Sequence, residues 1–309
     1  MSDFCKKLTY RYLSEADLPQ VKALWAICFP EDNAEFIDYY FKERILPENV
    51  LGAFENEKLV SMLCRDSRRM FANGQLVPVC FVSGVATDPC FRNRGIVRML
   101  LEKLDADLIR EDFAAALLQP FSFDFYKKLG YEVFGRRKTV IITQQALNDA
   151  EKKLEPMKNA QSGAAPRCSN VKPERPDAAL ILDVYNSYFG RRNGVLQRSV
   201  ERCEALAHEF MLPGACSLSV GSAYALWYPT DDELTLHEFA FENAWDALAL
   251  LWEIVKRHSK FTVELPCDYE IFGILCETKA EPLNMIKILN GEFDWLRNLE
   301  PMPFDVCAY

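Results

Sequence analysis

The sequence lacks paired or clustered cysteines, although it contains eleven of them. No two cysteines form a C-x-x-C pair, and none forms a cluster with any of the three histidines. This spacing argues against a structural zinc site, and we expect the protein to use no metal. Most of the cysteines lie in apolar runs, where a free thiol behaves as a small hydrophobic residue. An odd number of cysteines without a signal peptide is typical of reduced thiols in a reducing compartment.

The chain also lacks a long apolar segment and an excess of positive charge. No run of about eighteen uncharged apolar residues occurs, so no membrane span is predicted. The N-terminal residues, MSDFCKKLTYRYLSEAD, lack the charged and then apolar pattern of a secretory signal, and we expect a cytoplasmic protein. With 36 lysines and arginines against 45 aspartates and glutamates, the net charge is −9. This balance argues against nonspecific nucleic-acid binding and is compatible with a cationic substrate.

Apolar residues, in contrast, are plentiful. Hydrophobic residues make up 50% of the sequence and aromatic residues 12%, which is enough for packed cores and excludes a disordered chain. A length of 309 residues exceeds the usual size of a single domain. Two domains are therefore the default expectation.

The most informative stretch runs from Val82 to Arg137. It opens with Val82–Thr87, a run rich in β-branched residues, which Asp88-Pro89 ends because proline cannot continue a strand ladder. From Ile96 onwards, apolar residues recur every three or four positions, which predicts an amphipathic helix. The apolar positions of this helix are Met99 or Leu100, Leu104, Leu108 and Ile109.

Between this strand and this helix lies the turn Arg92-Asn93-Arg94-Gly95-Ile96-Val97. A glycine at the start of a helix leaves backbone N–H groups free to face an anion, and the helix dipole and guanidinium groups favour the same ligand. A solvated basic turn is the alternative interpretation. The flanking strand and helix favour anion binding.

Beyond the helix, Phe113–Leu118 is a short apolar run that predicts a buried strand. Gly130 ends the turn around Asp124–Leu129 as a C-cap glycine does, and Tyr131-Glu132-Val133 opens another strand. The order of strand, R-x-x-G turn, helix, strand and F-Y-x-x-x-G-Y segment resembles the GNAT family of acetyl-CoA-dependent N-acetyltransferases. The R-x-x-G fragment alone is a weak motif, but in this order of elements it is specific.

The resemblance implies a site for acetyl-CoA. The backbone of Val85, Ala86 and Thr87 would bind pantetheine, and Tyr126 would lie beside the thioester sulfur. The residues implied in pyrophosphate binding are Arg92, Asn93, Arg94, Gly95, Ile96 and Val97. Val97 stands where the family has a second small residue. This points to the subset with a bulky residue there, which includes the enhanced-intracellular-survival (Eis-like) acetyltransferases.

From the resemblance we predict an α/β fold with mixed sheets, arranged as two tandem GNAT folds. Residues 1–150 form the catalytic domain, and residues 151–176 read as a linker because they are charged, contain Pro, Ser and Gly, and lack an apolar period. Residues 177–290 form a degenerate GNAT-like domain. Residues 291–309 form a tail where the Eis-like enzymes carry a sterol-carrier-like third domain.

The remaining elements are predicted from periodicity and turn residues. In the first half they are a strand at Leu8–Tyr12, helices from Leu18 and Phe36, a hairpin of Val50–Phe54 with Lys58–Arg65, and a hairpin of Arg69–Ala72 with Gln75–Ser83. In the second half they are helices at Ala178–Tyr188, Ala244–Val255 and Tyr269–Cys276, and strands at Gly221–Tyr228, Glu233–Phe241, Phe261–Leu265 and Met285–Leu289. A second R-x-x-G at Arg191–Gly194 follows an aromatic helix rather than a strand, and we interpret it as a loop.

Tyr126 is the candidate acid that protonates the coenzyme thiolate, because a phenol with a pKa near 10 matches a thiol product. The alternative is an aromatic side chain that packs under the sheet, as expected for Phe123, Phe125 and Tyr131. Ser122 is a candidate hydrogen-bonding partner of the pantetheine arm.

The general base stays open, since all three histidines lie in the second half. The candidates are Glu31, Asp32, Glu35, Asp124, a water chain, and the carboxylate of Tyr309, which the resemblance to the Eis-like group suggests. The favoured function is transfer of an acetyl group to a primary amine of the polyamine, aminoglycoside or lysine type. The alternative is a non-catalytic double-GNAT protein that binds acyl-CoA or a partner. The apolar tail PMPFDVCAY is compatible with a homo-oligomer.

Overall fold

The computed structural model describes residues 7–155, 174–190, 192–229, 234–266, 271 and 280–299. Tyr309 and most of the predicted linker lie outside these residues. The helices are α1 (Leu18–Cys28), α2 (Ala34–Tyr39), α3 (Ile96–Arg110), α4 (Phe123–Lys127), α5 (Gln144–Leu154), α6 (Ala178–Tyr188), α7 (Val200–Glu209) and α8 (Ala244–Val255). The strands are β1 (Thr9–Tyr12), β2 (Val50–Glu55), β3 (Lys58–Ala72), β4 (Gln75–Thr87), β5 (Ala115–Leu118), β6 (Glu132–Thr143), β7 (Cys216–Val220), β8 (Ala223–Trp227), β9 (Thr235–Leu236), β10 (Glu238–Phe241), β11 (Lys260–Pro266) and β12 (Glu281–Ile288).

These elements fall into two compact units. The described part of unit 1 lies within Met1–Phe134 and Leu283–Leu299, and that of unit 2 lies within Gly135–Pro282. Both units combine helices with sheets, and the prediction of an α/β fold with mixed sheets is confirmed.

The sheet of unit 1 has the strand order β1-β2-β3-β4-β5-β12. Its first four strands are antiparallel neighbours, whereas β4 and β5 run parallel and are joined through α3. The turn between β3 and β4 is the predicted Asn73-Gly74, and both residues have positive φ, at 48° and 77°. This is the backbone that a two-residue hairpin turn requires.

Strand β3 is longer than the sequence predicts. A break was expected between Arg65 and Arg69, but β3 continues through it, because Asp66 and Arg68 keep their pairing with β4. Arg68 is buried and its guanidinium lies 3.3 Å from the carboxylate of Asp66, so the two charges partner one another inside the strand. A partnered charge can be buried at a modest cost, and the polar run therefore does not end the strand.

The amphipathic helix of the predicted central stretch is α3, whose buried side chains cover one face of the sheet. Leu100, Leu104 and Leu108 are fully buried against this face, as predicted. Ile109 was expected on the same face. This prediction is wrong, since 51% of the surface of Ile109 is exposed. One position further along a helix turns a side chain by about 100°, which carries Ile109 out of the buried stripe.

The last strand of unit 1 comes from far along the chain. Residues 285–288 of β12 pair antiparallel with residues 115–118 of β5. The sequence analysis correctly predicts a strand at Met285–Leu289, but it places that strand in the second domain, whereas its hydrogen bonds join it to unit 1. Met285 is fully buried in the same core as α3 and α4.

Unit 2 contains two groups of strands. In one group β11 pairs antiparallel with β6 and parallel with β9. In the other, β8 lies between β7 and β10 with antiparallel pairing on both sides. Helices α6 and α8 agree with the predictions, and residues 192–195 form a turn, closed by Val195 N–H donating to the Arg192 carbonyl at 3.3 Å. The predicted helix at 269–276 lies outside the described residues, apart from Ile271.

Candidate functional site

The parallel ladder between β4 and β5 ends before β4 does. Val82 pairs with Leu118 at the end of this ladder, while β4 continues to Thr87. Within this extension the register with β3 shifts, because Gly84 and Val85 together oppose a single residue. A bulge of this kind bends the strand that carries the extra residue, which here is β4. The residues predicted to bind pantetheine, Val85–Thr87, therefore lie where β4 has passed the end of β5.

A short capped turn leads from β4 to α3. The carboxylate of Asp88 accepts a hydrogen bond from Cys90 N–H at 2.9 Å and forms an ion pair with Lys58 at 2.8 Å. Pro89 opens a single 3₁₀ turn here, as expected for a proline at a first helical position. The predicted end of the strand at Asp88-Pro89 is confirmed.

The predicted anion-binding turn ends in an α3 N-terminus that no side chain caps. Gly95 occupies the N-cap position with φ +84°, and no acidic residue lies in the first turn. The first helical hydrogen bond runs from Met99 N–H to the Gly95 carbonyl at 3.3 Å. The N–H groups of Ile96, Val97 and Arg98 precede this ladder, which is the arrangement that attracts an anion.

The two arginines of the turn are exposed and anchored by main-chain carbonyls. Arg92 Nε donates to the Thr87 carbonyl at 3.2 Å, and Arg94 donates to the Cys90 carbonyl at 2.9 Å. The Arg94 guanidinium also lies over the Phe91 ring, 5.1 Å from its centroid. The contact between Arg92 and Thr87 joins the end of β4 to the turn.

Space for a ligand lies next to Gly95. A Cβ atom built on this glycine would have no protein atom within 4 Å. Its positive φ excludes most other residues, and its open surroundings leave room for a group to approach the backbone closely. Both properties fit a turn that cradles a phosphate.

Tyr126 lies in the last turn of α4, and the F-Y-x-x-x-G-Y segment forms the C-terminal end of this helix. Tyr131 N–H donates to the Tyr126 carbonyl at 3.1 Å, and Gly130 N–H donates to the Lys127 carbonyl at 3.1 Å. With Gly130 at φ +89°, these two bonds form a Schellman motif, in which the residues at its two ends pack together. The rings of Tyr126 and Tyr131 do so edge to face, with centroids 5.7 Å apart.

The environment of Tyr126 keeps its phenol protonated. The side chain is 2% exposed, and burial raises the pKa of the hydroxyl well above its usual value. Tyr126 shares a core with Val82 and Ile96, and Val85 and Val97 pack against that core. Residues of the predicted pantetheine strand, of the predicted anion-binding turn and of α4 therefore border the same hydrophobic core.

Ser122 has a structural role that the sequence analysis did not assign to it. It is the N-cap of α4, and its hydroxyl accepts a hydrogen bond from Phe125 N–H at 3.3 Å. The hydroxyl can still donate a hydrogen bond while it accepts this one.

A pocket of about 160 Å³ lies along α3, whose residues line it from Arg98 to Asp105. Its charged lining residues are Arg98, Glu102, Asp105, Lys128 and Lys287. The Lys287 ammonium lies 2.6 Å from Asp105 Oδ2, whereas Asp105 Oδ1 is buried without a hydrogen-bond partner. Burial raises the pKa of Asp105, and the hydrogen bond from Lys287 opposes this shift. No local sequence pattern indicates Lys287, which lies on β12 and lines this pocket.

The candidate bases differ in their surroundings. Asp32 accepts a hydrogen bond from Trp25 Nε1 at 2.7 Å, while Glu31 and Glu35 are exposed. Asp124 is exposed and lies 3.7 Å from the Lys127 ammonium. Tyr309 lies outside the described residues.

One buried polar pair beside β4 was not predicted. The hydroxyls of Tyr40 and Ser83 lie 2.8 Å apart, next to the bulge. Within the described residues, no group of three or more His, Cys, Asp or Glu side chains could hold a metal ion. Among the helices of the same residues, none is long and apolar enough to cross a membrane.

Comparison with known proteins agrees with this arrangement. Residues 9–134 match the family model described as an acetyltransferase (GNAT) domain. No curated protein matches the chain. The fold is similar to a GCN5-related N-acetyltransferase from Anabaena variabilis ATCC 29413, with a TM-score of 0.71 and 17% identity, over 92% of this chain and 73% of that one. A GCN5-related N-acetyltransferase from Kribbella flavida has a TM-score of 0.67 and 17% identity, over 91% and 72% of the two chains.

The fold is also similar to Eis1 from Mycobacterium abscessus, with a TM-score of 0.64 and 14% identity, over 91% of this chain and 74% of that one. At such identities these likenesses establish the fold. The family model covers the end of β4, the α3 turn and Tyr126. Residues 9–134 therefore form an acetyltransferase domain of the GNAT type, and the protein is an acyltransferase.

Proposed function

We propose that unit 1 binds acetyl-CoA between the end of β4 and the N-terminus of α3 and transfers its acetyl group to a primary amine. The observation that supports this most is that the end of the β4–β5 ladder and the uncapped N-terminus of α3 lie on the same short stretch of chain. The β4–β5 ladder ends at Val82 and Leu118, and after Thr87 a short turn leads from β4 into a helix that no side chain caps. A ligand with a thin arm and a pyrophosphate has the shape and charge that these two features accept.

Each part of the ligand has matching groups in the chain. The backbone of Val85–Thr87 offers hydrogen bonds to the pantetheine arm and an N–H to the thioester carbonyl. The N–H groups of Ile96 and Val97, with Arg92, bind the pyrophosphate. Arg98 and Lys128 line the adjacent pocket and suit the phosphorylated adenosine end.

Tyr126 has the properties of the acid that the reaction needs. Acetyl-CoA supplies an acetyl group activated as a thioester, and the coenzyme leaves as a thiolate when the amine displaces it. Burial raises the pKa of Tyr126, so the phenol is protonated at neutral pH and can donate a hydrogen bond to the departing thiolate as the sulfur takes up a proton. The phenol regains from solvent any proton that it transfers. The amine nitrogen loses its own proton to solvent or to a base among the open candidates.

Unit 2 has the features of a domain that binds no cofactor, as proposed for residues 177–290. Helix α8 follows a pair of strands, as α3 does, but the side chain of Asn243 caps it by accepting Trp245 N–H at 2.7 Å. Asp246 in its first turn accepts hydrogen bonds from the Ser222 backbone and hydroxyl, both at 2.9 Å. A capped and acidic helix N-terminus repels a phosphate.

The proposed class of acceptor rests on charge and on resemblance. A net charge of −9 is compatible with a cationic amine, and the similarity to Eis1 supports a place in the Eis-like group with acceptors of the polyamine, aminoglycoside or lysine type. The cytoplasmic location and self-association stay predictions from the sequence.

A thiol-release assay with acetyl-CoA and a panel of primary amines tests the proposal. We expect release with at least one amine, and a loss of roughly 10²-fold in kcat for Tyr126→Phe. The matched control is Tyr131→Phe, which removes a neighbouring buried hydroxyl that has no hydrogen-bond partner. It should keep full activity, since no interaction is lost.

The outcomes separate the candidate functions. Binding of acetyl-CoA without turnover on any amine would favour the non-catalytic alternative. Equal activity of Tyr126→Phe and the wild type would remove Tyr126 from the mechanism.

A further inference from the structure

Phe121 is a large apolar side chain that the fold leaves open to solvent. Its surface is 74% exposed, and the next most exposed large apolar side chain in the described part of the chain is Met211 at 61%. One side of its ring is supported, by Phe125 at 5.4 Å and by Tyr126, edge on, at 5.5 Å between centroids. An aromatic ring that packs against the protein on one side and is exposed to solvent on the other is suited to cover a ligand.

The register of the sheet locates Phe121 relative to the proposed acetyl-CoA site. Strands β4 and β5 run in the same direction and pair until Val82 and Leu118. Val85 and Phe121 each lie three residues beyond these partners in the sequence. The two residues therefore follow opposite sides of the opening at the end of the ladder. Ser122 starts α4 immediately after Phe121, so Phe121 lies in the short segment that joins the end of β5 to α4.

We propose that Phe121 forms the wall of the opening on the β5 side and covers the pantetheine arm of acyl-CoA. The inference rests on the proposed function, because it concerns the same ligand. The arm carries methylene groups between its two amides and beside the sulfur, and a dimethyl-substituted carbon on the pyrophosphate side of the first amide. The amides take the backbone of Val85–Thr87 as partners, and the apolar groups take the exposed ring, which removes its surface from water.

Calorimetric titration with two ligands tests this assignment. Acetyl-CoA carries the pantetheine arm, and 3′-phosphoadenosine 5′-diphosphate is the same molecule without it. For Phe121→Ala we expect about tenfold weaker binding of acetyl-CoA, about 1.4 kcal/mol, and unchanged binding of the fragment. Phe121→Leu should lie between the two, because it keeps part of the apolar surface. The matched control is Ile109→Ala, which truncates another exposed apolar side chain of unit 1 and should change neither titration.

Every outcome bears on the assignment. Unchanged acetyl-CoA binding by Phe121→Ala would overturn it, and so would an equal loss for both ligands, which indicates a displaced loop instead of a lost contact. Failure of the wild type to bind either ligand would overturn the proposed cofactor site and this inference with it. Binding of both ligands by the wild type, with loss only of acetyl-CoA in the variant, would support both.

Discussion

Replacing Lys287 by methionine should destabilise unit 1 through a single buried carboxylate. Methionine keeps an apolar stem next to Gly130, whose Cβ position lies 3.4 Å from Lys287 Cε, but removes the ammonium. Asp105 then keeps no charged partner, and its residue surface is only 7% exposed. Breaking a fully buried pair costs about 3–5 kcal/mol. Because the Lys287 side chain is 26% exposed, we expect a smaller loss than for a fully buried pair, about 2–3 kcal/mol at neutral pH.

The loss should depend on pH with a definite sign. Burial raises the pKa of Asp105 above its ordinary value of 3.8, and Lys287 lowers it through a hydrogen bond and its charge. Without Lys287 the folded-state pKa rises further. The folded variant then binds a proton more tightly than the unfolded chain, so its stability falls as pH rises through that pKa. The deficit against the wild type should be small near pH 4 and largest above the raised pKa.

Urea unfolding at pH 4.5 and at pH 7.5 measures both effects. The control is the double variant Asp105→Asn with Lys287→Met, in which the pair is replaced by two neutral side chains. It should recover most of the loss at pH 7.5, because no charge is left buried. A single variant as stable as the wild type at pH 7.5 would refute the reasoning, and so would a double variant no better than the single one.

Two further substitutions and one labelling experiment test other parts of the structure. Gly130→Ala should destabilise the protein by about 1–2 kcal/mol in thermal unfolding, because alanine disfavours the φ of +89° at this position. Arg198→Met should cost about 3–5 kcal/mol in the same measurement, since it leaves Glu238 of unit 2 buried without the guanidinium 2.6 Å away. Iodoacetamide should label the exposed Cys90 in the native protein and spare Cys80, whose pKa burial raises to about 12; mass spectrometry of the labelled peptides would show any reversal of this order.

The local parts of the site could be predicted from the sequence because their signals are local. A glycine between a strand and an amphipathic helix predicts the uncapped start of α3, and Gly130 predicts the end of α4. The Schellman motif explains why Tyr126, Gly130 and Tyr131 act as one local structural unit. Its two hydrogen bonds need only these neighbouring residues.

The parts that depend on distant pairing could not be predicted. Lys287 and Asp105 lie 182 positions apart, and no pattern near either residue indicates the other. The pairing of β12 with β5 is set by the packing of Met285 into the unit 1 core, which the sequence of β12 alone does not reveal. The polar break within β3 misled the prediction for a related reason, since Asp66 and Arg68 satisfy each other only once the strand is formed.

Calorimetric titration of acetyl-CoA into the wild type, Gly95→Val and Gly74→Val tests the central claim most directly. Both glycines have positive φ, at +84° and +77°, and neither has a protein atom within 4 Å of its Cβ position. The strain that valine introduces should therefore be similar in both, while only Gly95 faces the proposed phosphate site. The account predicts binding by the wild type and by Gly74→Val, and binding at least about tenfold weaker for Gly95→Val. Equal affinity of the two variants, or no binding by the wild type, would contradict it.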